Sequence, residues 1–191
     1  MQLKSLLATL LLATTHLAAA TFNINTGQSA VDPVWAITAG GSGQALVITN
    51  PIIPPWISPP AGSAWVSTTT ANSLPSGATY SLTAVVNHLG PAVLNFQALA
   101  DNQVSVYLNA AVVPIFTFNG VVASDFSTLP ALQTVNLAAG PTTIRLDVTN
   151  VSSFSGVLLI GSVTETPEPS TFAGMGIGLL ALGWWKRRRA L

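Results

Sequence analysis

Short stretches in which apolar and polar positions alternate recur between turn signals through the middle of the chain, which is the pattern of half-buried β-strands. Strands are predicted at 45–49, 80–86, 92–99, 104–108, 115–118, 135–137, 143–149 and 157–163. Within 104–108 the period puts Val104, Val106 and Leu108 on one face. Ile144, Leu146 and Val148 do the same in 143–149, leaving Arg145 and Asp147 on the opposite face. Between the strands stand Asn50-Pro51, Pro59-Pro60, Pro75-Ser76-Gly77, Gly90-Pro91, Asn119-Gly120 and Gly140-Pro141, all turn or breaker sequences. No helical period is sustained in this central region, and no internal repeat suggests a solenoid. The expected fold is all-β, an antiparallel β-sandwich or jelly roll.

The two ends of the chain follow a different pattern. Near the start, Lys4 precedes the apolar run Leu6 to Leu12, and Ala18-Ala19-Ala20 follows. This is the layout of a secretory signal peptide with cleavage expected after Ala20. Near the other end, Pro167-Glu168-Pro169-Ser170-Thr171 leads into the glycine-rich apolar stretch Phe172–Trp185, closed by Lys186, Arg187, Arg188 and Arg189. As a helix, those 14 residues would be roughly 21 Å long, short against the about 20 residues of a comfortable membrane span. Trp184 and Trp185 suit the membrane interface, and the four cations would hold the C-terminus on the cytoplasmic side. The expected segments are therefore 1–20, a signal peptide; 21–166, the sandwich domain; and 167–191, a sorting tail with a short transmembrane helix.

This tripartite tail resembles the PEP-CTERM sorting signal of exported bacterial proteins. The resemblance implies recognition and removal by an exosortase-type membrane protease or transpeptidase, with Pro167, Glu168 and Pro169 as the sorting motif. It also implies an inner-membrane-anchored intermediate, followed by a cell-surface or extracellular product. The plain alternative is a short permanent anchor. Further in, Trp65-Val66-Ser67, Pro75 to Tyr80, Ala98 to Asn109, Gly140 to Asn150 and Gly156 to Val163 resemble a jelly-roll module frequent in PEP-CTERM proteins. That module is similar to galactose-binding-like sandwiches. Its members usually have a small turn residue such as glycine after the Tyr-Leu-Asn stretch, where this chain has Ala110.

Charge narrows the partners. Between Thr21 and Thr164 there are four aspartates, Asp32, Asp101, Asp125 and Asp147, against Arg145 alone, a net of −3 with no lysine. A surface with one cation offers no footprint for phosphate backbones, so nucleic acid is not expected as a partner. Acidic polysaccharide is disfavoured for the same reason. Cysteine is absent although the route is oxidising, so the core must hold the domain without disulfides.

Catalytic patterns are sparse, and no enzyme, cofactor or metal is expected. His88, the single histidine of the domain, lies beside Gly90-Pro91 and reads as a solvated turn residue. Gly40-Gly41-Ser42-Gly43-Gln44 departs from the nucleophile-elbow pattern at its last position. The aspartates are spread along the chain, so paired-carboxylate glycosidase chemistry is not indicated. Asp32, Asp101 and Asn102 are the oxygen donors nearest to a calcium set, well short of the 6–8 ligands such a site takes. The Asn150-Val151-Ser152 sequon reads as incidental.

The aromatic residues offer the best lead for binding. Trp56 lies in Pro54-Pro55-Trp56-Ile57-Ser58-Pro59-Pro60, a run biased to extended structure and not expected to be buried on all sides. With Asn50 it forms a candidate saccharide subsite, although the same ring could instead plug the end of the sandwich. Trp35 and Trp65 have the apolar neighbours of core residues. Two functions stay open: a non-enzymatic surface or matrix protein associated with exopolysaccharide or cell aggregation, and a carbohydrate-binding module with a defined saccharide site.

Overall fold

The computed structural model describes residues 19–49, 56–71, 73–152, 154–166, 176, 178–179, 182 and 185–186. Its strands are β1 (Thr21–Asn23), β2 (Val31–Ala39), β3 (Gly43–Val47), β4 (Val66–Ser67), β5 (Thr79–Val86), β6 (Ala92–Asp101), β7 (Gln103–Leu108), β8 (Phe116–Asn119), β9 (Gln133–Leu137), β10 (Thr142–Thr149) and β11 (Gly156–Glu165). All pairings are antiparallel. Hydrogen bonds run in the order β8-β7-β10-β5-β2-β3-β4-β11-β6-β9, with β1 added to β11.

This ribbon folds over on itself. The inward residues of β2, β5, β7 and β10 share one apolar core with those of β6 and β11. The result is the antiparallel all-β sandwich that the alternation implies. The central ladder is regular: Leu146 of β10 sits between Leu82 of β5 and Val106 of β7, and Val148 sits between Tyr80 and Val104. Every one of these six side chains is buried. Across the gap Phe96 of β6 meets Phe116 of β8 edge to face, with ring centroids 5.8 Å apart at 89°. Such pairs add to the stabilisation from burial alone.

Leu108 shares the inward face of Val104 and Val106, but lies only partly buried at the margin of the core. Arg145 and Asp147 occupy the outer face and pair with each other at 3.0 Å. Arg145 also stacks over Tyr107, 4.3 Å from the ring centroid.

Strands β1, β2 and β4 were not among those predicted. β1 and β4 are too short to show a period, and β2 contains Pro33. A proline argues against a paired strand because it has no N–H to give. Here the pairing with β3 shifts between Val31 and Ala36. The Asp32 carboxylate fills the gap by accepting the backbone N–H groups of Gly27, Val34 and Trp35.

Two turns show why their residues are needed. Gly40 joins β2 to β3 with φ +72°, and a Cβ there would stand 2.4 Å from the Thr79 carbonyl oxygen. After β7, Asn109 takes the left-handed conformation at φ 54° and accepts the Thr143 N–H on its side chain at 2.9 Å. An asparagine tolerates that region better than most residues, so Ala110 need not provide the glycine-like geometry.

The packing separates two substitutions on neighbouring strands. Leu146→Ala should lower unfolding free energy by about 2–5 kcal/mol, because a fully enclosed side chain leaves a cavity. Leu108→Ala should cost less, below about 2 kcal/mol, since its site can collapse or admit water. Urea denaturation of both variants checks the order, and equal losses would contradict it.

Candidate functional site

The outer face of the second layer carries the most distinctive chemistry. β6 and β11 pair over ten positions, from Gly156 opposite Asp101 to Glu165 opposite Ala92. Their inward side chains feed the core, including Leu94, Phe96, Leu159 and Val163. Their outward side chains are divided into an apolar end and a polar end.

At the apolar end, Leu99 and Leu158 are covered by Ile48, Trp56, Trp65 and Phe126 in a second buried cluster. Trp56 stacks on Trp65 with centroids 4.4 Å apart and planes at 27°. Its indole N–H donates to Asp101 Oδ2 at 2.8 Å, and that of Trp65 donates to the Ile57 carbonyl at 3.0 Å. Gly156 makes room, since a Cβ there would come within 2.9 Å of the Trp56 ring. Trp56 is 6% exposed. The expectation that its proline-rich run keeps it open is corrected: the ring is the plug, and no face of it is offered to a saccharide in this conformation. Asn50 lies outside the described residues.

Asp101 stands where this plug meets the interior. Burial pushes its carboxyl above the usual aspartate range, and the bond from Trp56 opposes that shift. Nearby, burial pushes the Tyr80 phenol up to about 12. Tyr80 Oη, Ser67 Oγ, Ser155 Oγ and Asp101 Oδ1 are buried without a hydrogen-bond partner among the described residues.

The other candidate donors serve the backbone. Asn102 Oδ1 accepts the Val151 N–H at 2.8 Å and the Ser152 hydroxyl at 3.2 Å. With Asp32 committed to the N–H groups of Gly27, Val34 and Trp35, the proposed oxygen donors are not gathered into one site. His88 is also corrected. It is 2% exposed rather than solvated, with Nδ1 2.8 Å from the Gly90 carbonyl and Nε2 2.9 Å from Thr142 Oγ1. It braces the turn between β5 and β6.

At the polar end an open groove of about 390 Å³ lies over β1, β11 and β6. Asn23 faces Ser162, Ser162 faces Asn95, and Asn95 faces Thr134, forming a polar row across four strands. Gln97, paired with Ile160, occupies the next row. Asn25 helps close the end, accepting the Gly161 N–H at 2.9 Å. Leu132 and Ile160 supply the apolar part of the lining, and no lining residue is ionisable. Arg145 lies on the outer face of the opposite layer, in the ladder with β5 and β7. The sequence reading missed this groove. Asn95 and Gln97 were visible as the polar positions of a strand, but β1 and the pairing that completes the site were not.

The last strand passes directly toward the sorting segment. Glu165 Oε1 accepts the Leu89 N–H at 2.6 Å, while the Thr166 N–H and hydroxyl both donate to the Pro91 carbonyl at 2.8 and 2.9 Å. Pro167, Glu168 and Pro169, and Arg187 to Arg189, lie outside the described residues. Gly176, Gly178, Leu179, Leu182, Trp185 and Lys186 are helical, with Lys186 exposed. Among the described residues no helix is long and apolar enough to cross a membrane.

Residues 165–189 match the PEP-CTERM protein-sorting motif. The tail is therefore the sorting signal that its sequence resembles. None of the curated proteins matches the chain. Among solved structures, the chain is similar to a native family 35 carbohydrate-binding module from Clostridium thermocellum at 16% identity and TM-score 0.43, covering 78% of this chain and 100% of that one. It is similar to the K2 cleaved adhesin domain of Lys-gingipain at 16% identity and TM-score 0.49, covering 77% and 100%. For CBM35 from Paenibacillus barcinonensis the values are 15% identity and TM-score 0.39, covering 78% and 99%.

The environment of Asp101 has a testable pH sign. Its folded-state carboxyl is raised above the ordinary 3.8, so the folded state favours the neutral acid. Its contribution is greatest below that ordinary value and is lost as pH rises through the raised one. Asp101→Asn keeps an oxygen for the Trp56 N–H and removes the buried charge. The variant should melt higher than the parent at neutral pH, with the gap closing toward acid. A gap that widens toward acid in a calorimetric series would contradict this. Trp56→Ala should cost about 3–5 kcal/mol, the loss typical of a buried tryptophan, as read by chemical denaturation.

Proposed function

We propose that this chain is a non-enzymatic cell-surface or extracellular-matrix protein, delivered by an exosortase-type system and associated with exopolysaccharide. The PEP-CTERM match at 165–189 is the observation that carries the reading. It marks an exported protein held by a C-terminal anchor before processing. The matched segment starts inside the folded domain, because Glu165 ends β11. Folding therefore reaches the sorting signal without an intervening linker, and the enzyme meets Pro167-Glu168-Pro169 next to a finished sandwich.

In this reading, residues 1–20 are removed on export and Thr21 begins β1. The domain 21–166 is what reaches the surface, and 167–191 is the part that the exosortase recognises. Lys186 to Arg189 hold the tail's cytoplasmic end, as clustered cations do beside a membrane segment. The surface partner is a neutral polymer. The one arginine between Thr21 and Thr164 is paired with Asp147, so little positive charge is offered to an acidic chain. A carbohydrate-binding module with a defined saccharide site is the second reading, favoured by the uncharged groove over β1, β11 and β6.

Processing gives the direct test. In a host with an exosortase, intact-mass analysis of surface or released protein should begin at Thr21 and lack the residues after about Thr171. Recovery of mature protein that still carries Trp184 to Leu191 would show a permanent anchor instead. Neutral residues in place of Lys186 to Arg189 should leave the sandwich folded and lower the yield of processed product.

A further inference from the structure

We infer that the groove over β1, β11 and β6 is a binding site for a neutral glycan, with Asn23, Asn95, Gln97 and Ser162 as its hydrogen-bonding groups. This rests on the reading that the protein works with exopolysaccharide, and it names the surface through which it would do so.

The groups are held in place and only half used. Asn95 Oδ1 accepts the Thr134 hydroxyl at 2.8 Å, which fixes the amide and leaves Nδ2 without a partner among the described residues. Gln97 Nε2 donates to the Pro130 carbonyl at 2.7 Å, leaving Oε1 as a fixed acceptor. Asn23 Oδ1 accepts the Asn25 N–H at 2.9 Å, again leaving Nδ2. Ser162 lies between Asn23 and Asn95 in the cross-strand row. The site thus presents donors at two positions, an acceptor at a third and a hydroxyl between. That mixture suits vicinal hydroxyls, each of which both donates and accepts. Amides already locked by one bond lose little further freedom when a ligand binds.

Charge and shape favour the same class. With no ionisable group in the lining, a charged ligand would be desolvated without compensation, whereas a polyol replaces water by matched hydrogen bonds. Ile160 and the 61%-exposed Leu132 give an apolar patch for the C–H face of a sugar ring. The volume of about 390 Å³ lies at the small end of ligand sites. The row from Asn23 to Thr134 crosses strands spaced about 4.8 Å apart, so the polar line extends roughly 14 Å. It is open above, which lets a polymer lie across it rather than enter by an end.

The site is also walled. The cluster of Trp56, Trp65 and Phe126 stands on the same sheet face, with Ile160 packed against it and lining the groove. Pro130, which orients Gln97, follows the short helical turn Ala123–Phe126 in the same cover. The tryptophan plug thereby backs Ile160 at one end of the site and is not its platform.

Binding of the processed full-length protein to its host's exopolysaccharide, and to neutral glucans and galactans, provides the test by titration calorimetry. The parent should bind at least one polymer, and the Asn95→Ala/Gln97→Ala variant should bind it about tenfold more weakly or worse, as the loss of two hydrogen bonds implies. Its melting temperature should fall only slightly, because both side chains lie on the outer face and each gives up one bond there, to Thr134 or to Pro130. Arg145→Ala on the other layer should bind like the parent. In the parent, the side-chain amide NMR signals of Asn23, Asn95 and Gln97 should shift with added polymer. Parent binding that the double variant retains would overturn the groove while leaving the polysaccharide reading intact. A parent that binds none of the polymers would overturn both. Amide shifts that follow protein concentration alone would assign the groove to contact between two copies of the chain, and would also overturn the proposal.

Discussion

The ten-position pairing of β6 with β11 is the constraint on which most of the domain depends. One side of this ladder supplies Leu94, Phe96, Leu159 and Val163 to the main core. The other side supplies Leu99 and Leu158 to the tryptophan cluster, and Asn95, Gln97 and Ser162 to the groove. A slip of one residue would exchange the two faces along the whole ladder. It would set Asn95 and Gln97 in the core and Phe96 in water. Register here is therefore held by burial along the core side and, at Leu99 and Leu158, on the outer side, and without a disulfide nothing covalent supplements it.

Dividing the outward face has consequences beyond packing. The cover formed by Trp56, Trp65 and Phe126 buries the indole donors, and each finds an acceptor, Asp101 for one and the Ile57 carbonyl for the other. Buried N–H groups left alone would cost more than these bonds return. Asp101 takes that role at the cost of a desolvated carboxyl. The uncovered half of the face remains polar and uncharged.

The junction with the sorting tail follows from the same ladder. β11 leads straight into the sorting motif, and the turn braced by His88 grips Glu165 and Thr166 as the chain leaves the sandwich. Thr21 at the start of β1 pairs with Thr164. Thr21 and Thr166, the last described residue before the sorting motif, thus lie at one end of the sandwich.

Alternation of apolar residues determined the fold class, because a period of two can bury one face only when the chain is extended. It located β5, β6, β7, β10 and β11 to within a few residues and set the inward face of Val104, Val106 and Leu108. The tail was equally legible, since a proline-flanked acid, an apolar run and terminal cations are contiguous in sequence. Other features needed the tertiary structure. β2 hid behind Pro33, and where its pairing with β3 shifts the Asp32 carboxylate accepts the Val34 and Trp35 N–H groups, a contact no periodicity reports. Trp56 looked open because its own neighbours are prolines, but Leu99, Leu158 and Gly156 arrive from distant strands to enclose it. The groove exists only where β1, β11 and β6 lie side by side. A local pattern states which way a side chain points, whereas what stands opposite it depends on pairings between residues more than a hundred positions apart.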